Sequence, residues 1–322
     1  MSANSSPGEL ICAVDLGGTN LRAAIIDRVG NIHERLKFKT PATSNAAAIV
    51  SAIAEAVGAC RVRAASAIQA VSIVVPGSVQ QDSGVVVNAP NIPSLAGFKL
   101  GVALENELNG QVLIENDANA AALGEMWKGA GRGHRTIVCL TLGTGVGSGI
   151  ILDGELWRGI DGTAGEIGHT SVAPFGSVRC KCGNIGCLEV CASATAIVRM
   201  TREGLPTHEE SSLHSIPDHE LSSEKIARAA IDGDELALSI FHKMGTYLGI
   251  AIANVVNTLN PEVIVIGGGV SSSFDLFVHQ TRAEVLRRAF PVPAQRCQII
   301  RAECGDDAGL LGAAWLAIEN KT

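Results

Sequence analysis

Short, continuous apolar runs closed by glycine, asparagine or aspartate alternate along this chain with longer stretches of helical spacing. Residues 10–15, LICAVD, read as a buried strand, followed by LGGTN and a second apolar run, LRAAIID, that ends near Gly30. That pattern is a hairpin with a glycine-rich turn. Helical spacing covers 46–60 and 100–108, with short strands at 71–76, 85–88 and 112–115 and the loop APNIPSLAGFKL ahead of the second helix. The strand at 112–115 runs into Asn116-Asp117-Ala118-Asn119, which opens an alanine-rich helix reaching about Lys128. Asn and Asp are ordinary helix N-caps; one of the two is read as the cap and the other as free for chemistry, at a strand end where α/β proteins place ligand groups.

The second half repeats the theme. Residues 137–149 form another hairpin, and LGGTNLRAAIID set over LGTGVGSGIILD pairs Leu16 with Leu142, Gly17 with Gly143, Ile25 with Ile151 and Asp27 with Asp153. A polar excursion at 203–224 is expected to be exposed, and its His208, His214 and His219 lack metal-site spacing. Helices follow at 222–233 and 235–259; the second is apolar around its circumference, hence buried, and ends at Asn260-Pro261. A strand at 262–266 leads through Gly267-Gly268-Gly269 to a helix at 274–289. A strand at 298–302 and an apolar helix at 308–318 close the chain. Strands interleaved with helices predict an α/β fold.

The first glycine turn is followed by a strand, so it matches neither the dinucleotide fingerprint nor the P-loop, which need a helix there. Asp15 ends the first strand. Gly17 and Gly18 permit close backbone approach, and their N–H groups with the Thr19 hydroxyl can hold phosphate oxygens. An ordinary hairpin turn is the alternative; the second copy of the loop favours a nucleotide held between two similar halves. The three glycines before a helix leave room for a flat ligand or a phosphate.

The length of 322 residues suits two domains, and 47% hydrophobic residues suffice for a large core. Only 3% are aromatic and the net charge is −7, which disfavours base-stacking and phosphate-backbone binding. The start, MSANSSPGEL, is polar and expected to be frayed, with no leader pattern. No apolar stretch is expected to span a membrane uninterrupted. Nine cysteines, an odd number, fit a reducing cytoplasm.

Four of those nine lie in GEIGHTSVAPFGSVRCKCGNIGCLEVCAS, residues 165–193. His169, Cys180, Cys182 and Cys187 offer one imidazole and three thiolates, a set suited to a closed tetrahedral zinc site. Gly183 and Gly186 allow the turns that aim the thiolates at one point. A disulfide knot or scattered core cysteines are the alternatives; the short spacing suits a metal better. Cys191 reads as core. Glu166 and Glu189 flank the cluster, a carboxylate pair placed to grip a polar ligand.

DLGGTN, ENDANAAALGE, LGTGVGSGI, GEIGH and CKCGNIGCLE together resemble the ROK family of sugar kinases and related repressors, and within it the bacterial glucokinases, over nearly the whole chain. The resemblance implies the actin-like, hexokinase-like ATPase fold: two α/β domains flanking a cleft that closes over the sugar. The division expected is 1–117 for a small domain, with the C-terminal helix of 305–322 packed back on it, and 118–304 for a large domain carrying the zinc loop. It implies ATP-dependent phosphorylation of glucose at the 6-hydroxyl, with Asp117 as general base. Asn91, Asn116, Glu166, His169 and Glu189 are then expected to bind the sugar, and Gly77, less directly, to line the same pocket. Gly17, Gly18, Thr19, Thr144 and Gly145 are expected to hold the ATP phosphates, Gly268 and Gly269 to face the adenosine, and Asp15 to orient Mg²⁺. Zinc on His169, Cys180, Cys182 and Cys187 is expected to be structural, and the chain to form a dimer or tetramer. One departure is Ser148, where the family often has glycine. An N-acetylglucosamine or N-acetylmannosamine kinase is the neighbouring reading, and polyphosphate the alternative donor. A sugar-responsive repressor is disfavoured, since the stretch before Asp15 is short for a DNA-binding domain.

Overall fold

The structure is a computed structural model that describes residues 9–176 and 178–320; the polar start, residues 1–8, lies outside them. The chain opens with β1 (Leu10–Leu16), β2 (Asn20–Asp27), β3 (Ile32–Lys39), α1 (Ala46–Arg63), β4 (Ile68–Val75) and the small hairpin β5 (Ser78–Gln80) with β6 (Val85–Asn88). Then come α2 (Leu100–Leu108), β7 (Val112–Asn116) and α3 (Asp117–Lys128). These build a five-stranded sheet of order β3-β2-β1-β4-β7, antiparallel through the first hairpin and parallel from β1 onward.

The chain repeats the plan with β8 (Ile137–Leu142), β9 (Val146–Leu152) and β10 (Glu155–Leu156). After the cysteine-rich segment come α4 (Glu189–Ala192), α5 (Ala194–Gly204), α6 (Ser223–Ile231) and α7 (Glu235–Leu259). Last are β11 (Val263–Gly267), α8 (Phe274–Arg288), α9 (Pro291–Arg296), β12 (Gln298–Arg301) and α10 (Ala308–Glu319). The second sheet runs β10-β9-β8-β11-β12, the same winding as the first. The internal repeat seen in two glycine loops therefore extends to whole sheets.

The first sheet shows why its strands read as unbroken apolar runs: both faces are covered. Alternation along β1 sends Cys12, Val14 and Leu16 to a core with Ile49, Ile53 and Val57 of α1 and Leu104 of α2. Ile11 and Ala13 face the other way, against Ala120 of α3 and Leu310, Ala313 and Ala317 of α10. There α3 and α10 pack backbone to backbone: a Cβ at Gly312 would collide with the Ala120 carbonyl, and one at Gly124 with that of Ala308. Trp127 and Trp315 meet at 5.4 Å between ring centres on the same pair of helices.

By contacts, the described residues form two compact units: one up to Gly133 with Gly149–Ala164 and the residues from Asp306 on, the other His134–Ser148 with Gly165–Gly305. The second is organised on α7, capped by Asp234 at its start and by left-handed Asn260 at its end. By length and composition α7 could cross a membrane, although His242 and Lys243 interrupt its apolar run. Its packing against α5, α6 and α8 and its mostly buried surface make it a core helix. Sequence patterning left β3, β5, β10, α5 and α9 unassigned. β3 alternates half-buried and exposed positions as an edge strand does, while β5 and α9 are too short to show a period. The 203–224 excursion is largely exposed but not featureless. It carries short helical turns and a buried Leu213, and Asp234 accepts hydrogen bonds from Ser211 and Ser212.

Candidate functional site

In the first unit the chemistry gathers where β7 ends and α3 begins. Asn116 is the cap: its Oδ1 accepts the N–H groups of Ala118 and Asn119 at 2.9 and 3.0 Å. Its amide donates to the Gly77 carbonyl at 3.0 Å and to Asp117 Oδ1 at 3.0 Å. Asn116 and Gly77 are thus bonded to each other, and both Asn116 groups serve the protein. Asp117 also accepts from the Ala118 N–H at 2.9 Å. It is exposed by surface area, yet enclosing protein pushes its carboxyl up to about 6. Charge on Asp15 adds to the rise, and the Ala118 N–H opposes it. The two properties together describe a carboxylate open on one side and walled on the others; solvent on the open side limits the rise, and the walls set its direction.

Asp15, at the end of β1, is ion-paired with Arg22 directly across the hairpin, and Arg22 also donates to the Asp306 carbonyl at 2.8 Å. The first glycine loop is a tight turn in which the Gly17 N–H is spent on the Asn20 carbonyl at 2.9 Å. Of the groups expected to meet phosphate there, Gly18 and Thr19 are the exposed ones. Gly18 packs beside Asn91.

The second unit carries the other expected residues. Nδ1 of His169 lies 3.6 Å from Cys180 Sγ, Cys182 Sγ lies 3.6 Å from Cys187 Sγ, and the four donor atoms fall within 4.8 Å of one another. Tetrahedral zinc bonds imply edges of about 3.8 Å between sulfurs and about 3.6 Å between sulfur and nitrogen, so the donor set fits zinc. A disulfide needs about 2.05 Å, and none of the nine cysteines, all among the described residues, is in a disulfide. Gly183 and Gly186 take positive φ in the loop between the thiols, and Cys191 is buried. Burial beside the other thiols pushes Cys187 up to about 12, while the Asn184 N–H holds Cys182 below the usual thiol range.

The other imidazole nitrogen, Nε2, lies 3.9 Å from the exposed Glu166 carboxylate. Glu189 joins the cluster to the second glycine loop. Its Oε1 is 3.8 Å from Cys180 Sγ, and its Oε2 accepts the Val146 N–H at 3.2 Å. A Cβ at Gly145 would meet that carboxylate, so a larger residue there would have to push the Glu189 side chain aside. Thr144 is exposed beside it, its carbonyl held by the Thr195 hydroxyl at 2.8 Å. Gly268 and Gly269 are exposed at the end of β11.

Sequence reasoning missed three contributors. Ser148, noted only as a departure, donates to the Gly165 carbonyl and accepts the Ile167 N–H, so it pins the segment that carries Glu166 and His169. Arg22 and Glu115 were not singled out; a charged residue inside an apolar strand was the available signal for Glu115.

The ROK family model matches residues 11–320. The chain belongs to the ROK family. It is 40% identical over 308 residues to a glucokinase of Halalkalibacterium halodurans, covering 94% of this chain and 93% of that one. The structure of a ROK family glucokinase from Streptomyces griseus, in complex with glucose and AMPPNP, superposes with a TM-score of 0.82 at 35% identity, over 96% of this chain and 99% of that one. A xylose repressor of Caldicellulosiruptor bescii is 34% identical over 251 residues, 78% of this chain and 62% of that one. The fold is thereby the actin-like, hexokinase-like one of the family, with mixed α/β sheets and flanking helices.

Proposed function

We propose that this ROK protein is a glucokinase that transfers the γ-phosphoryl group of ATP to the 6-hydroxyl of glucose. The observation that carries the reading is Asp117: a carboxylate fixed at a helix start, open to a ligand, with its pKa raised to about 6, near the working pH of a general base. High identity to glucokinases along nearly all of the chain supports the same reading.

Phosphoryl transfer has a loose transition state, so the protein mainly positions the partners and neutralises charge. Asp117 accepts the proton of the 6-hydroxyl. Asn116, fully engaged with Asp117, Gly77 and the α3 N–H groups, acts on the sugar by holding the base in place. Asn91, Glu166, His169 and Glu189 hydrogen-bond the remaining hydroxyls. Gly18 and Thr19, with Gly17 shaping their turn, and Thr144 with Gly145 in the second loop hold the phosphates; Gly268 and Gly269 face the adenosine. Asp15 would hold Mg²⁺, which when bound neutralises phosphate charge. His169, Cys180, Cys182 and Cys187 would hold zinc, which braces the segment carrying Glu189. The reading includes no nucleic-acid or membrane partner, a homo-oligomer, and a reducing cytoplasm in which the cysteines stay out of disulfides.

The test is incubation with Mg-ATP and glucose, followed by ³¹P NMR. Glucose 6-phosphate and ADP in equal amounts are expected. ADP without sugar phosphate, or no turnover with any hexose, overturns the reading.

A further inference from the structure

One residue before the proposed base, a second carboxylate is sealed inside the first unit. Glu115 is 1% exposed, on the last turn of the apolar strand β7. Burying a carboxylate is costly unless hydrogen bonds replace its water, and here four N–H donors do so. Oε1 accepts from the Asn116 backbone at 2.9 Å and from Asn119 Nδ2 at 3.0 Å. Oε2 accepts from Gln81 Nε2 at 3.1 Å and from Arg158 Nε at 2.8 Å. A carboxylate has about four such sites, so Glu115 is saturated.

Stability alone does not explain the arrangement, because a well-packed apolar side chain serves a fold as well as a buried ion pair. What the four bonds do is local. They grip Asn116 and Asn119, on either side of Asp117, and Asn116 in turn bonds the Asp117 carboxylate. Through Arg158 they also bring in the loop after β10. That loop is closed on itself by the bond from the Ala164 N–H to the Arg158 carbonyl and by Thr163 on Asp161.

We propose that Glu115, sealed in the unit, and the partly exposed Arg158 form an ion pair that positions Asp117 for proton removal and anchors the 158–164 loop at the same point. The inference rests on the kinase reading above. Both are positioning residues: they act through Asn116 and Asn119 and do not touch the substrate.

The experiment compares Arg158→Met, Arg158→Lys, Glu115→Gln and the double variant Glu115→Gln/Arg158→Met in the full chain, measuring kcat, both KM values and Tm. Small misplacement of a reacting group costs on the order of 10²-fold. Arg158→Met should therefore lose kcat by about that factor with KM for Mg-ATP unchanged, and Arg158→Lys should recover at least about tenfold of it. The double variant should fall no more than about threefold below the worse single one, as coupled residues do. A purely structural pair would lower Tm while leaving kcat per folded molecule intact. Should Glu115→Gln fail to fold, the two Arg158 variants carry the test, since that side chain is 29% exposed. Full kcat in Arg158→Met with an active wild type overturns this inference alone. A wild type that transfers no phosphoryl group overturns it together with the kinase reading.

Discussion

Asp117 shows how a single residue gains a role from what surrounds it. Replacement by Asn keeps the size and an oxygen for the Ala118 N–H and removes the proposed base, so kcat should fall by roughly 10²–10⁴-fold, with Tm and glucose affinity by calorimetry nearly unchanged. Turnover near that of the wild type would remove the assignment. The pH dependence follows from the direction of the shift. For Asp117 as the proposed base the active form is the ionised one, and burial raises its pKa to about 6, so activity should be lost as pH falls through 6. At pH 5 about a tenth of the carboxylate remains ionised, and kcat/KM, which follows the free enzyme, should be down about tenfold from pH 8. An acid limb centred near 4, the ordinary carboxylate range, would show that the enclosing protein does not perturb the group. This residue was legible as a strand end entering a capped helix. Which of the Asn-Asp pair is the cap was not, because it depends on the Gly77 carbonyl, 39 residues away in sequence.

At the scale of elements, two close contacts set the outcomes. The cysteine-rich loop is held to the second glycine loop by Glu189, whose carboxylate spans Cys180 and the Val146 N–H. Purified protein should contain about one zinc per chain, read by elemental analysis. Cys182→Ser should raise KM for the sugar more than it lowers kcat, by freeing the segment that carries Glu189. Active enzyme without zinc would contradict the metal reading. Gly145→Ala should displace the same carboxylate from the other side and raise KM in the same sense. The other contact is the crossing of α3 and α10. Gly312→Ala forces a methyl group onto the Ala120 carbonyl and should cost about 1–3 kcal/mol in chemical denaturation, the usual range for overpacking. An unchanged midpoint would show that the helices can separate freely.

For the molecule as a whole, the question is which sugar it takes. A site that hydrogen-bonds hydroxyls rejects sugars that leave those groups unpaired, and the all-equatorial hydroxyls of glucose satisfy such a set. Among glucose, mannose, fructose, N-acetylglucosamine and N-acetylmannosamine, kcat/KM should be highest for glucose. A tenfold preference for an N-acetylated sugar, about 1.4 kcal/mol in transition-state binding, would move the assignment to that class while leaving the kinase chemistry in place.

The sequence by itself determined the α/β class, most strands and helices, the paired glycine loops and the His–Cys cluster proposed to hold zinc. Those features are local: periodicity, caps and short spacings are written in neighbouring residues, and the repeated loop revealed the duplicated sheet because both copies obey the same pairing. What only the tertiary structure decided is how distant groups are spent. Arg158 reaches Glu115, Gln81 comes from a separate hairpin, and Ser148 pins Gly165. No local pattern records these bonds, because each satisfies a buried polar group with a donor that only the folded chain brings within reach.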